Sequence, residues 1–258
     1  MIKKSLIVAA LFFANSVFAD VKSDCEAKGD GFIYAKNECI NYKLFEGDEE
    51  GLNIVVHGTW DEGTDIIARY SPFAEDVAMS SDISTIALAL PGYSQSSSNN
   101  LKAIGSKEIK NLAATKEYVE FFAELVENLK QKYDSKKTTI IAHSAGCMLS
   151  ATALGQKDVF VDNLLCAGGA YDIHKKAEDS KGLISAVDVI DNISKDTNIM
   201  IVYGTADDVS TPQMNKEFYD LAKEKGLKVE LIEAKDAPHM ELEMTNEAKN
   251  ALFKALEN

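Results

Sequence analysis

The chain alternates between short apolar runs and longer amphipathic stretches. Phe32 to Tyr34 and Ile40 to Leu44 predict a leading antiparallel pair of strands. Asn53 to Val56 predicts a strand that stops at His57-Gly58. Phe73 to Met79 predicts a short helix, and Ile83 to Leu90 a β-rich run ended by Pro91-Gly92. The longest helical signal covers Leu112 to Lys132, where Val119, Phe122, Val126 and Leu129 recur at helix spacing. Thr138 to Ile141 is the next strand, and a helix follows from Ala145 to Leu154. Val161 to Cys166 and Ile199 to Tyr203 are nearly unbroken apolar runs, the pattern of parallel strands covered on both faces. Gln213 to Lys225 predicts a helix stopped at Gly226, Val229 to Ile232 a last strand, and Glu247 to Leu256 a closing helix.

Strand and helix in alternation imply an α/β fold: a mostly parallel central sheet of about eight strands, flanked by helices on both faces. In such sheets ligands bind beyond the carboxyl ends of the strands, so the loops that follow strands are where chemistry is expected. Only residues 170–198 could form a lid. That stretch is short, with Leu183, Val187 and Ile190 predicting one amphipathic helix, so little or no lid is expected.

Length and composition narrow the picture. Of the 258 residues, the first nineteen read as an export signal: Lys3 and Lys4, an apolar core from Leu6 to Phe13, then Val17-Phe18-Ala19. The remainder, residues 20–258, is expected to form a single domain exported to a periplasmic or secreted location. The apolar run is too short to span a bilayer, and no cysteine follows it closely, so no stable membrane anchor is expected. A net charge of −14 argues against holding nucleic acid through its phosphates. Export also changes how the four cysteines are read. Cys25 and Cys39 are the favoured disulfide, whereas Cys147 and Cys166, in apolar contexts, read more readily as two buried thiols. No C-x-x-C pair or histidine cluster suggests a metal, and no cofactor is called for.

The candidate chemistry begins at Ala142-His143-Ser144-Ala145-Gly146, where an apolar strand gives way to small residues and a helix. A serine in that sharp turn has its hydroxyl held out of the sheet, and small residues two positions away on either side allow the close backbone approach. Its plain alternative is a helix cap. Two further strand-end loops carry the partners a serine hydroxyl needs: an imidazole to take its proton and a carboxylate to orient the imidazole. The strand ending at Tyr203 is followed by Gly204-Thr205-Ala206-Asp207-Asp208-Val209-Ser210-Thr211-Pro212, and the strand ending at Ile232 by Asp236-Ala237-Pro238-His239-Met240. Taken singly, His239 could be a surface histidine, and either aspartate a helix-initiating residue. Taken in order, at the ends of strands, they read as a catalytic set.

On these motifs the chain resembles the α/β-hydrolase superfamily from the His57-Gly58 turn to the His239 loop. A-H-S-A-G is similar to its nucleophile elbow, with Ala142 in place of the commoner glycine. The resemblance implies Ser144 as nucleophile, His239 as general base and then acid, and an aspartate as orienter. Spacing from Gly204 selects Asp207 and spacing to Pro212 selects Asp208; the strand-end distance favours Asp207. The oxyanion hole would use the amides of Ala145 and Thr59, with Trp60 as the next candidate. His57 reads as holding its turn, and His143 as a packing or turn contact. Trp60, Tyr93 and Tyr171 follow strands on the same side and are candidates for the pocket wall. Asp61, Glu62 and Asp65 read as a solvated charged loop near its mouth. The expected function is an exported serine hydrolase, a carboxylesterase on small to medium soluble esters, with a peptidase, a thioesterase or a non-catalytic binding protein as alternatives.

Overall fold

Eight strands form one sheet, in the order β1-β2-β4-β3-β5-β6-β7-β8. The computed structural model describes residues 21–60, 64–93, 111–156 and 159–257. The export segment expected at residues 1–19, together with Asp61 and Glu62, lies outside them. β1 (Phe32–Ala35) and β2 (Glu38–Phe45) pair antiparallel, and β2 pairs antiparallel with β4 (Ile83–Leu88). From β4 onward all pairs are parallel: β3 (Glu49–Val56), β5 (Thr138–His143), β6 (Asn163–Ala167), β7 (Asn198–Gly204) and β8 (Lys228–Ala234).

The unbroken apolar runs have a simple reason. Successive side chains on a strand point to opposite faces, so a strand covered on both faces has no polar alternate. Ile54, Ile140, Leu164 and Ile201 join one buried cluster, while Val55, Ile141, Leu165 and Val202 join the other. Helices α1 (Ile66–Ser81) and α5 (Asn246–Leu256) cover the second face through Tyr70, Phe73, Val77 and Leu252. Helices α2 (Lys116–Lys132), α3 (Ala145–Gln156) and α4 (Pro212–Glu224) cover the first through Phe121, Leu125, Leu149 and Phe218.

Three elements depart from the sequence expectation. The helix expected only over 73–79 begins at Ile66, because the Asp65 side chain accepts from the Ala68 amide at 3.0 Å and starts the helix a turn and a half before Pro72. Asp65 is thus a helix cap whose side chain is also exposed to solvent. The long helix begins at Lys116 rather than Leu112. Leu112–Ala114 form a 3₁₀ turn, and the Thr115 hydroxyl accepts from the Tyr118 amide to start the α-helix proper. In the β6–β7 insertion, the amphipathic helix expected through Leu183, Val187 and Ile190 shrinks to Ala186–Val189 and a 3₁₀ turn, Ile190–Asn192. The preceding segment is spent instead on pairing: Leu183 bridges Thr115, and the Ile184 amide donates to the Ala114 carbonyl at 2.8 Å.

Two disulfides are present among the described residues. Cys25–Cys39 has an S–S distance of 2.03 Å. The reading of Cys147 and Cys166 as separate thiols is corrected: their sulfurs lie at bonding distance. The elbow and the end of β6 bring their Cα atoms to 5.1 Å, within the range a disulfide spans.

Candidate active site

The turn between β5 and α3 positions Ser144. Its φ of +53° is a left-handed conformation that a residue with a Cβ adopts at a cost of about 1–3 kcal/mol. The surroundings hold it there: the Ser144 amide donates to the Ala167 carbonyl at 3.0 Å, and its own carbonyl accepts from the amides of Cys147 and Met148. Gly146 is required by contact. A Cβ on it would lie 2.5 Å from the His57 carbonyl oxygen and 2.6 Å from that of Val56. A Cβ on Gly58 would lie 2.7 Å from the Ser144 Cβ.

Asp207 and His239 reach the same point from β7 and β8. The His239 Nε2 lies 2.9 Å from the Ser144 Oγ, and its Nδ1 lies 2.8 Å from the Asp207 Oδ2. The other carboxylate oxygen, Oδ1, accepts from the amides of Val209 at 2.9 Å and Ser210 at 2.8 Å. Burial pushes the Asp207 carboxyl up. The hydrogen bond from His239 and the two amides outweigh it, so the net shift is down and the acid stays ionised. With Asp207 ionised, Nδ1 carries the proton and donates, which leaves Nε2 as the lone pair facing the serine hydroxyl. Asp208 is exposed and makes no such contact.

Gly168, which no motif singled out, fits against this pair. At φ +62°, a Cβ on it would meet the Asp207 Oδ2 and His239 Nδ1 at 3.1 Å each. Its signal in the sequence is a Gly-Gly step directly after an apolar strand. The other two histidines of the site are structural. The His57 Nδ1 donates to the Gly58 carbonyl at 2.6 Å and its Nε2 accepts from the Leu90 amide at 2.9 Å. Burial lowers its pKa to about 4, so it is neutral while it joins two strand ends. The His143 Nε2 donates to the His239 main-chain carbonyl at 2.8 Å, bracing the loop that carries His239. Beneath it the Glu243 carboxylate is buried 3.9 Å from the His143 Nε2, a neighbour sequence reasoning missed.

A cavity of about 560 Å³ opens in front of Ser144 and His239. Leu112, Met148 and Ile173 make its apolar wall, and Thr59, Ala145 and Tyr93 also face it. Thr59 and Ala145 are the two residues whose amides were expected to hold an oxyanion. Ala145 opens α3, where an amide has no intrahelical acceptor. The Trp60 amide is committed to the Tyr93 carbonyl at 3.3 Å, which leaves Thr59 as the better placed of the two.

Of the three aromatic candidates for the wall, only Tyr93 is among the cavity's described lining. Trp60 is turned away, its Nε1 donating to the Tyr70 hydroxyl at 3.3 Å and its ring covered by Arg69 at 3.9 Å. Tyr171 is buried against Phe218, stacked at 4.0 Å, and borders a separate cavity of about 180 Å³. Neither ring is among the described lining of this cavity: Trp60 packs against Arg69 and Tyr70, and Tyr171 against Phe218.

Comparison with known proteins agrees with the fold. The family model for the alpha/beta hydrolase fold matches residues 54–237. The esterase Pf2001 of Pyrococcus furiosus superposes with a TM-score of 0.65 at 17% identity, covering 88% of this chain and 90% of that one. Est1E from Butyrivibrio proteoclasticus, solved with ferulic acid bound, gives 0.61 at 14% identity, covering 88% and 99%. The monoacylglycerol lipase of Paleococcus ferrophilus gives 0.57 at 15% identity, covering 84% and 98%. At these identities the likeness is one of fold alone. No curated protein matches the sequence.

Proposed function

Because this chain belongs to the α/β-hydrolase family, we propose that it is a serine carboxylesterase acting on small to medium soluble esters through an acyl-enzyme intermediate. One observation carries the reading: the unbroken line from the Ser144 Oγ to the His239 Nε2 at 2.9 Å, and from the His239 Nδ1 to the Asp207 Oδ2 at 2.8 Å.

The His239 Nε2 takes the Ser144 proton as Oγ bonds to the ester carbonyl carbon. Asp207 stabilises the imidazolium so formed. The amides of Thr59 and Ala145 receive the developing oxyanion. When the carbon–oxygen bond to the alcohol breaks, the imidazolium gives the leaving oxygen its proton. Water, deprotonated by the same Nε2, then attacks the acyl-serine; the acid departs and Oγ recovers the proton. The esterases among its structural neighbours support ester substrates, and the cavity of about 560 Å³ suits ligands of modest size.

Two disulfides support folding in an oxidising compartment, in keeping with residues 1–19 acting as an export signal. No helix among the described residues is long and apolar enough to cross a membrane.

The test is covalent labelling with a fluorophosphonate. The wild type should be labelled and should hydrolyse 4-nitrophenyl butyrate, and Ser144→Ala should lose both. An unlabelled, inactive but folded wild type would mean a binding protein that has kept the fold. Running peptide anilides and acyl thioesters beside the ester separates the peptidase and thioesterase readings.

A further inference from the structure

The cavity in front of Ser144 holds one feature that ester hydrolysis does not require. Its described lining includes a single cationic side chain, Lys176, just beyond the 3₁₀ turn Ile173–Lys175 of the β6–β7 insertion. The Lys176 ammonium donates to the Val209 carbonyl at 3.0 Å, so it is anchored to the loop that carries Asp207. An ammonium has three donors, and this carbonyl uses one. Its neighbour makes the contrast. Lys175, equally exposed, pairs with Glu217 at 2.8 Å and Asp172 at 3.8 Å. Lys176, among the described residues, has no carboxylate within ion-pair distance, although the chain carries 41 acidic residues against 27 basic ones. Lys176 is solvent-exposed, and the partial burial of its ammonium lowers its pKa, a shift that the Asp207 charge counters in part.

We propose that the Ser144 site selects esters carrying a carboxylate, which Lys176 binds as a counter-ion that none of the described residues provides. Such a carboxylate would use the two free donors in charge-assisted hydrogen bonds, while Leu112, Met148 and Ile173 cover the apolar link between carboxylate and ester. Half-esters of dicarboxylic acids place the charge on the acyl side, and esters of phenolic or hydroxy acids place it on the alcohol side. The inference deepens the esterase reading and rests on it.

The test compares kcat/KM for two matched pairs on the full chain. Monoethyl succinate against ethyl butyrate places the charge on the acyl side, and 4-acetoxybenzoate against 4-tolyl acetate on the alcohol side. The wild type should favour the anionic member of at least one pair by about tenfold, mainly through KM, as expected for a charge-assisted contact at a partly open site. Lys176→Met should bring that ratio to within twofold of unity, and Lys176→Glu should invert it. If Lys176 merely ties down the Val209 loop, both members of a pair slow together and the ratio survives, which overturns the proposal. A wild-type ratio near one in both pairs also overturns it, while neutral esters are still turned over and Ser144 is still labelled. No turnover of any of the four esters, with no label on Ser144, removes the esterase reading and this inference with it.

Discussion

Replacing Asp207 by Asn tests the mechanism at its most specific point, because the surrounding structure dictates how the new amide must lie. Two backbone N–H groups, from Val209 at 2.9 Å and Ser210 at 2.8 Å, point at the Oδ1 position. The Asn carbonyl oxygen must occupy that position, since an NH₂ there would face two donors. The NH₂ is therefore left at the Oδ2 position, 2.8 Å from the His239 Nδ1, where it donates. His239 must then accept at Nδ1 and carry its proton on Nε2, the wrong tautomer for taking the Ser144 proton. With tautomer and charge stabilisation both lost, kcat should fall by about 10⁴, or about 5.5 kcal/mol of transition-state stabilisation. Because the two backbone bonds survive, the melting temperature should move by only a few degrees. Asp208→Asn, at an exposed side chain, should stay within twofold of wild type. The assay is hydrolysis of 4-nitrophenyl butyrate by both variants, with melting curves beside it. An Asp207→Asn enzyme keeping more than a tenth of wild-type kcat would refute the reasoning, and so would a hundredfold loss in Asp208→Asn.

Two further outcomes follow from the same packing. Gly168→Ala places a Cβ at φ +62° and 3.1 Å from both Asp207 Oδ2 and His239 Nδ1, so it should cost about 1–2 kcal/mol of stability and at least tenfold in kcat. Unchanged kinetics would show that the pair has room to spare. His57, held near pKa 4 against 6.5 when unfolded, takes up a proton on unfolding between those values. Its contribution is therefore complete above pH 6.5 and declines as the pH falls: about 2 kcal/mol should be lost between pH 6.5 and 5. Denaturant melts of wild type and His57→Gln across that window should converge by about this amount, and parallel curves would contradict the shift.

How much of this was legible in the sequence depends on what sets each position. Ser144, Asp207 and His239 each stand just past an apolar run, and a strand end is visible locally because the run stops there. The sheet was legible for the same reason. The helix expected over Phe73 to Met79 starts earlier because its start is set by the Asp65 side chain, whose hydrogen bond from the Ala68 amide no apolar spacing announces. The choice between Asp207 and Asp208 depends on which side chain turns inward: Asp207 does, against His239 and the two amides, while Asp208 is exposed. Trp60 and Tyr171 follow strands on the active side, but their rings are directed by Arg69, Tyr70 and Phe218, and no local spacing announces those partners. Cys147 and Cys166 stood in apolar runs that suit a thiol and a disulfide equally well, and their pairing depends on how α3 leaves the elbow over β6. Lys176 and Glu243 are the same case with charge: a lysine and a glutamate among many, made distinctive only by what the fold places, or fails to place, beside them. Main-chain geometry at the strand ends is thus written in the sequence and brings Ser144, Asp207 and His239 together. The cavity walls are written in contacts between distant segments. Substrate preference therefore has to be sought in those walls, where Lys176 is the departure that the reaction itself does not explain.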